Sequence, residues 1–151
     1  MAVSVRRARE DDLPRLVELL QQLSLDGDRE DTSRPLGAAY REAYARIASD
    51  PGQHLLVAEQ TGSVVGTVVL VVVPNLSHRG RPWAVVENVV VDAGARGQGV
   101  GERLLREAAR IARGAGCYKL SLTSNKQRTE AHRFYGRLGF RPTHEGFRLD
   151  L

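Results

Sequence analysis

The 151-residue sequence has little of several features that mark particular classes of protein. Its single cysteine, Cys117, excludes an intramolecular disulfide framework and a multi-cysteine metal site. Its longest apolar run, Val68–Val73, is far shorter than the roughly 20 residues that cross a bilayer. Aromatic residues make up only 5% of the chain, so stacking platforms for nucleic-acid bases are scarce. We therefore predict no membrane segment, no metal and no nucleic-acid partner.

Positive charge exceeds negative charge without forming a block. Lysine and arginine number 22 against 18 acidic residues, and the net charge of +4 suits an anionic ligand, nucleic acid or no specific partner. The first ten residues lack the apolar core of a secretion signal, so we predict a cytoplasmic protein. The length and the 42% hydrophobic content favour one domain over residues 1–151.

Hydrophobic periodicity predicts an α/β (α+β) domain, with a mixed, mostly antiparallel sheet of six to seven strands and helices on both faces. The predicted strands span 3–8, 54–60, 64–74, 83–92 and 117–123, with one or two more in 140–151. The predicted helices span 9–23, 36–49, a segment from 100 to about 114, and 129–139. The strand 83–92 is apolar on both faces, which predicts a central, covered position.

A glycine-rich stretch separates this strand from the next helix. A Walker-type loop would need Lys and Ser/Thr where Val100 and Gly101 stand, and a dinucleotide fingerprint would need glycine where Glu102 stands. The stretch that is left has six residues at the start of a helix, where free backbone N–H groups and the helix dipole favour an anion. These residues are Arg96, Gly97, Gln98, Gly99, Val100 and Gly101. They predict a pyrophosphate-binding loop, with a ligand-free turn as the alternative.

The chain resembles the GCN5-related N-acetyltransferase (GNAT) family. Arg96, Gly99 and Gly101 match that family's acetyl-CoA loop, and AHRFYGRLGF (131–140) matches its later aromatic motif. The order of elements also matches that fold over nearly the whole chain. A shorter likeness, in GCYKL (116–120) and Glu87, is to glucosamine-6-phosphate N-acetyltransferases. The resemblance implies an acetyl-CoA-dependent acyltransferase without a metal, and a homodimer.

The resemblance also implies roles for individual residues. Glu87 would be the general base or orient the amine, and a desolvated carboxylate there would have a raised pKa. Tyr135 would protonate the departing thiolate. The main chain of Val89, Val90 and Val91 would hold the pantetheine arm, with an N–H near Val89 as oxyanion donor.

The chain departs from the family pattern before Tyr135. Many members carry an asparagine seven residues before this tyrosine, whereas here Arg128 holds that position and Asn125 lies ten residues before it. Either Asn125 contacts CoA, or Lys126 and Arg128 contact its phosphates instead. Both Asn125 and Arg128 are therefore candidate CoA contacts.

The resemblance leaves the acceptor open. We predict acetyl transfer to a primary amine of a small molecule: an amino sugar, amino acid, polyamine or antibiotic. The alternatives are a protein or peptide amine, and a non-catalytic CoA-binding sensor. Four residues of the segment before the second strand could face the acceptor, namely Arg29, Arg34, Tyr40 and Tyr44.

Overall fold

The computed structural model describes residues 2–151, which contain one five-stranded sheet in the order β1-β2-β3-β4-β5. Neighbouring strands are antiparallel except β4 and β5, which are parallel. The strands are β1 Val3–Arg7, β2 Gln53–Gln60, β3 Ser63–Val73, β4 Trp83–Val91 and β5 Leu120–Ser121. The prediction of a mixed, mostly antiparallel sheet is confirmed.

Among residues 2–151, four α-helices lie between strands and a fifth follows the last strand. They are α1 Leu13–Gln21, α2 Ala38–Ser49, the single turn α3 Ser77–Gly80, α4 Val100–Gly114 and α5 Thr129–Arg137. The four longer helices fall where hydrophobic periodicity predicts them. The segment of α3 was predicted as a turn, and it is close to one, since His78 and Arg79 within it have left-handed φ of 55° and 60°. No helix among residues 2–151 has the length and apolar character needed to span a membrane.

Two apolar layers cover the two faces of the sheet, as predicted. On one face, Leu104 and Ala108 of α4 pack against Leu56, Val68 and other buried residues of the sheet. On the other face, Leu16 and Leu19 of α1 pack with Val57, Val64 and Val90. Burial of these side chains stabilises the fold by about 1.5–3 kcal/mol for each fully buried aliphatic residue.

The prediction of six to seven strands is wrong, because the structure has five. Residues 140–151 contain no strand, and of the predicted strand 117–123 only Leu120–Ser121 pairs. Among the described residues, the main chain of 144–151 makes no backbone–backbone hydrogen bond. An alternating pattern favours a strand, but a strand needs a neighbouring edge to pair with. Among residues 2–151 the last residues have no such neighbour.

Candidate active site

A β-bulge in the middle of β4 turns two consecutive polar side chains outward. Val90 pairs with Thr67 and Glu87 pairs with Val69, so Asn88 and Val89 together face one residue of β3. Asn88 has a φ of 54°, in the left-handed region that asparagine tolerates better than most residues. Glu87 and Asn88 are both exposed as a result.

The bulge also exchanges the two faces of β4. Before it, Ala84 and Val86 pack in the core under α4, whereas after it Val89 and Val91 do so. Val90 instead joins the core on the α1 side. In a regular strand every second side chain points to the same face. The extra residue in the bulge shifts this alternation by one, so the side chains after it change faces.

Beyond its first residues, β4 has an open edge on the side of β5. The two strands pair only at Ala84 with Leu120 and at Val85 with Ser121. The main-chain groups from Val86 to Val91 that point away from β3 therefore have no strand partner. An unpaired edge of this kind can accept an extended ligand as an added strand.

The loop after β4 presents unpaired amides at the start of α4. Gly97 and Gly99 have φ of 76° and 82°, which glycine adopts without strain, and a Cβ on either would meet nothing within 4 Å. Among residues 2–151, the N–H groups of residues 97–101 donate to no acceptor. Free donors and the positive end of the helix dipole make this loop suited to an anion.

Asp92 holds the start of this loop against α1. Its carboxylate accepts from Gln22 Nε2 at 2.8 Å and from Gly94 N at 3.1 Å, and pairs with Arg15 at 3.2 Å. The hydrogen bond from Gln22 is the largest of the effects that lower the pKa of Asp92. These contacts position the loop before any ligand binds.

Gly101 serves packing more than ligand approach. A Cβ there would lie 3.0 Å from Cζ of Phe134 and 3.5 Å from Cγ2 of Val91. Gly101 is buried, and the close contact brings α4 against α5. Absence of a side chain at this position thus lets Phe134 of α5 pack closely against the start of α4.

The other loop residues face solvent or the core. Arg96 is exposed and its Nε donates to the Val91 carbonyl at 3.2 Å, whereas Val100 is buried in the core. Gln98 accepts from the buried Gln60 at 3.0 Å. A cleft of about 310 Å³ adjoins this side of the loop, lined by Val3, Gln98, Gly99, Glu102, Arg103 and Arg106.

Tyr135 on α5 combines a largely buried ring with an accessible hydroxyl. The ring lies between Phe134 and Phe140, with centroids 5.4 and 5.9 Å away. Burial raises the pKa of Tyr135, and the positive charge of Arg128 opposes this effect. The hydroxyl forms no hydrogen bond among residues 2–151. Because every buried side-chain N or O atom in those residues has a hydrogen-bond partner, the Tyr135 hydroxyl is not buried and is open to solvent. This phenol is a proton donor available to a ligand.

Arg128 and Asn125 are both engaged within the protein. The guanidinium of Arg128 donates to the Leu23 carbonyl, which ties the start of α5 to the end of α1. The side-chain oxygen of Asn125 accepts from Gln127 N at 2.9 Å, and the main-chain carbonyl of Asn125 contacts His132 Nε2 at 2.9 Å. Neither contact tests binding to CoA, so the CoA contacts predicted for Asn125 and Arg128 stay predictions.

Glu87 is more exposed than the sequence suggested. The apolar strand around it predicts a desolvated carboxylate, whereas the bulge turns it to solvent on the α1 side of β4. Its carboxylate forms no ion pair or hydrogen bond among the described residues. Its carboxylate is therefore free to contact an incoming molecule.

The comparisons identify the family. A family model described as "Acetyltransferase (GNAT) family" matches residues 14–140, which is most of the chain. The chain belongs to the GNAT acetyltransferase family. The GNAT motif residues Arg96, Gly99 and Gly101 lie in the loop of free amides.

Individual GNAT relatives are similar over much of the chain. A glucosamine 6-phosphate N-acetyltransferase of Trypanosoma brucei brucei is 39% identical over 62% of this chain. The match spans 61% of the length of that relative. An aminoalkylphosphonate N-acetyltransferase of Salmonella typhimurium is 36% identical over 72% of this chain and 70% of that protein.

A solved structure agrees over nearly the whole chain. A Bacillus halodurans protein described as a transcriptional regulator superposes with a TM-score of 0.95 at 36% identity. The alignment covers 99% of this chain and 100% of that chain. The fold of that protein is thus present over essentially the full length of this chain.

The segment before the second strand, expected to face an acceptor, is held by internal contacts. Arg29 and Arg34 pair with Glu30 and Glu18 at 3.1 and 2.9 Å. The other two candidates also bond within the protein: Tyr40 to Glu30 and Asp31, and Tyr44 to Ala8. Within the described residues, no group of His, Cys, Asp or Glu could hold a metal ion.

Sequence reasoning missed two residues of this GNAT site. Asn88 forms the bulge, and its signal was a second polar residue directly after Glu87 in an apolar strand. Asp92 anchors the loop, and its signal was an acidic residue two positions before a glycine, which is typical of a side chain that caps a turn. Its partner Gln22 is distant in sequence and left no signal.

Proposed function

We propose that this chain transfers an acetyl group from acetyl-CoA directly to a primary amine of a small molecule. The observation that carries the proposal is the row of unpaired amides at residues 97–101, in a chain of the GNAT family. Acetyl-CoA carries two linked phosphates, and free N–H groups at a helix start form a site that binds phosphate.

The residues present fit the CoA phosphates. The space beside Gly97 and Gly99 is open, since a Cβ on either would meet nothing within 4 Å, and it leaves room for a ligand at the amides. Arg96 adds a guanidinium suited to two-point contact with phosphate. When bound, acetyl-CoA supplies an activated thioester whose carbonyl carbon accepts the amine. The open edge of β4 at Val89–Val91 offers main-chain groups to the pantetheine arm and to the acetyl oxygen.

Two side chains move the protons in this proposal. An alkyl ammonium has a pKa near 10, so an amine must lose a proton before it attacks. Glu87, exposed and unpaired, takes that proton, directly or through water, or orients the amine. Tyr135 gives the proton of its hydroxyl to the sulfur as the carbon–sulfur bond breaks. The ordinary pKa of a phenol is near 10 and burial raises the pKa of Tyr135 further, so the hydroxyl is protonated at neutral pH.

The names of the two relatives suggest which acceptor amines should be tested first. Glucosamine 6-phosphate and aminoalkylphosphonates each combine an amine with a phosphate or phosphonate group. We therefore infer a small phosphorylated or phosphonylated amine as the acceptor class to examine first. We also infer a homodimer, and location in the cytoplasm stays a prediction from the sequence.

The test is thiol release from acetyl-CoA across a panel of amines. The panel contains glucosamine 6-phosphate, an aminoalkylphosphonate, unmodified glucosamine, amino acids, polyamines, aminoglycosides and a lysine peptide. Turnover with a small amine supports the proposal, and preference for the phosphorylated member over glucosamine supports the acceptor class. CoA binding without turnover on any amine would indicate a sensor. Because one similar structure is described as a transcriptional regulator, a DNA-binding arm is included, and DNA binding without CoA binding would refute the proposal.

A further inference from the structure

The end of α1 contacts both halves of the proposed CoA site through two neighbouring residues. The side-chain amide of Gln22 donates to Asp92 at 2.8 Å and accepts from Ala93 N at 3.1 Å, just before the loop of free amides. The main-chain carbonyl of Leu23 accepts from the guanidinium of Arg128, the residue directly before α5. One helix end is therefore attached both to the loop that would hold the phosphates and to the helix that carries the proposed acid.

The two hydrogen bonds of Gln22 fix the direction from which the chain enters the loop. Asp92 also accepts from Gly94 N at 3.1 Å and pairs with Arg15 at 3.2 Å, whereas Ala93 N donates to Gln22 alone among the described residues. These bonds of Gln22 join residues 70 and 71 positions apart, so they decide where the loop lies relative to α1. Amides that are already in place bind an anion at a lower cost in ordering. Loss of the Gln22 amide should therefore weaken CoA binding.

Arg128 stands where its charge does not favour the helix that follows. It is the N-cap residue of α5, and its side chain makes no capping hydrogen bond. The positive end of the helix dipole disfavours a cation at this position. Its guanidinium is instead partly buried and held by the carbonyl of Leu23. The contact thus fixes the start of α5 on the end of α1.

Tyr135 follows Arg128 by seven residues, about two turns of helix. Burial raises the pKa of Tyr135, and among residues 2–151 the only charge that shifts this pKa is that of Arg128, which lowers it. The neighbouring rings of Phe134 and Phe140 carry no charge, and the α4 core against which Tyr135 packs is apolar. The charge of Arg128 therefore acts on this hydroxyl without competition from another ionised group in the described chain.

We propose that the end of α1 is the common anchor of the CoA site, and that Gln22 and Arg128 are positioning residues that act through the groups they hold. Gln22 places the loop of free amides. Arg128 places α5 and presents its charge to Tyr135, and it does not bind the CoA phosphates. These roles rest on the acetyl transfer proposed above. As Tyr135 gives its proton to the sulfur, the electron pair of the breaking carbon–sulfur bond stays on the sulfur. The tyrosinate is stabilised by Arg128 until solvent returns a proton.

Calorimetric titration with CoA tests the role of Gln22. Gln22→Met keeps the length of the side chain and removes both hydrogen bonds, so the Kd should rise at least about five-fold. The matched control is Gln21→Met, because Gln21 likewise donates once, to Gly27 O, and accepts once, from Glu30 N, away from the loop of free amides. It should change the Kd by less than about two-fold.

The same titration tests whether Arg128 contacts the phosphates. Arg128→Gln should change the Kd for CoA by less than about two-fold. A direct contact between guanidinium and phosphate would instead give a loss of at least about ten-fold, smaller at high salt. That result would overturn the role proposed for Arg128.

Fluorine NMR of protein labelled with 3-fluorotyrosine measures the effect on Tyr135 without turnover. The ring fluorine lowers the pKa of the phenol, so its ionisation can be followed in the folded protein, and the resonance is assigned by its loss in Tyr135→Phe. Arg128→Gln should move this titration to higher pH, because a positive charge stabilises the ionised phenol. Arg128→Lys should restore most of the difference. Arg133→Gln, which removes an exposed charge of α5, should leave the titration unchanged.

Steady-state kinetics with glucosamine 6-phosphate as the amine probe add the effect on the reaction. Arg128→Gln should lower kcat about ten-fold with the KM for acetyl-CoA little changed, since a weaker acid protonates the sulfur less readily. Arg128→Lys should recover most of this loss. A rise in KM with kcat unchanged would contradict a role through Tyr135.

The outcomes for the two anchors are separate from those for acetyl transfer. A CoA affinity of Gln22→Met equal to that of the unsubstituted chain, or an unchanged Tyr135 titration in Arg128→Gln, would overturn the corresponding role. Thermal unfolding of each variant establishes that it is folded. If CoA binds but no amine is acetylated, the proposed function fails, whereas calorimetry and fluorine NMR still decide whether Gln22 and Arg128 hold the site.

Discussion

At the scale of single residues, the proposed chemistry depends most on the hydroxyl of Tyr135. Its ring is packed between Phe134 and Phe140, so removal of the oxygen leaves the packing intact. We expect Tyr135→Phe to lower kcat by about 10²-fold, a typical contribution of a general acid, with CoA affinity changed less than about two-fold. Steady-state kinetics and calorimetric titration with CoA measure the two effects.

A matched tyrosine serves as the control. Tyr118 lies before β5, stacked on His78 with ring centroids 3.8 Å apart, and no role in the reaction is assigned to it. Tyr118→Phe should leave kcat unchanged. If Tyr135→Phe also retained full turnover, another group would have to protonate the sulfur.

Glu87 presents a second prediction, one that depends on pH. If the carboxylate accepts the amine proton, Glu87→Gln should reduce the rate most near neutral pH, where almost all of the amine is protonated. The loss should shrink as the pH approaches 10, where free amine becomes abundant. Rate profiles of both proteins between pH 6.5 and 9.5 supply the measurement, with the exposed Glu42→Gln on α2 as the control.

The shape of that profile decides the role of Glu87. A loss that is equal at every pH would mean that the carboxylate orients the amine and does not accept its proton. Both roles require a carboxylate that an amine can reach, and Glu87, like its neighbour Asn88 at the bulge, is exposed.

At the scale of elements, the turn from β4 into α4 carries the proposed phosphate site. We expect Gly99→Asp to weaken CoA binding by at least about 100-fold, because a carboxylate would stand against the phosphates and a side chain would disfavour the φ of 82°. An acidic residue at a helix start is otherwise favourable, so the variant should fold. Titration of CoA by calorimetry measures the effect.

Gly62 provides a closely matched control for this prediction. It has a φ of 79° in the turn between β2 and β3, and a Cβ there would also meet nothing within 4 Å. Gly62→Asp should carry the same backbone strain and leave CoA binding unchanged. Equal weakening by both substitutions would trace the effect to stability and not to the phosphate site.

Elements differ in how far the sequence predicted them. The four longer helices and the first four strands carry strong periodic patterns, and each was found close to its predicted bounds. Residues 117–123 and 140–151 were also predicted to contain strands, yet only Leu120 and Ser121 form one. An alternating apolar–polar pattern indicates which face a strand would bury. Whether the strand forms depends on a neighbouring strand that the local sequence does not specify.

At the scale of the whole molecule, an ion cluster ties the start of the chain to the sheet. Arg6 on β1 contacts Asp12 at 2.8 Å and Glu59 of β2 at 2.6 Å, and Asp12 also accepts from Arg9 N at 2.7 Å. The hydrogen bond from Arg6 is the largest effect that lowers the pKa of Asp12. The cluster therefore stabilises the ionised carboxylate in the folded state.

This cluster predicts a pH-dependent difference in stability. Because the pKa of Asp12 is lower in the folded chain, its contribution is present above the ordinary pKa near 4 and is lost as the pH falls through the folded value. Asp12→Asn should reduce the free energy of unfolding by about 1–2 kcal/mol at pH 7. The difference should shrink toward pH 2. Urea unfolding at several pH values measures it, and Glu102→Gln, in an exposed pair with Arg106, should cost under about 0.5 kcal/mol.

The sequence by itself determined the order of the main elements, the two covered faces of the sheet and the glycine loop at a helix start. These features are local, since periodicity and glycine placement act over a few neighbouring residues. Only the tertiary structure decided that Glu87 is exposed and that Asp92 is held by Gln22. It alone decided that the last residues lack a partner within the chain. Each of these depends on a contact or register between segments far apart in sequence, and such pairings are selected by packing of the whole sheet.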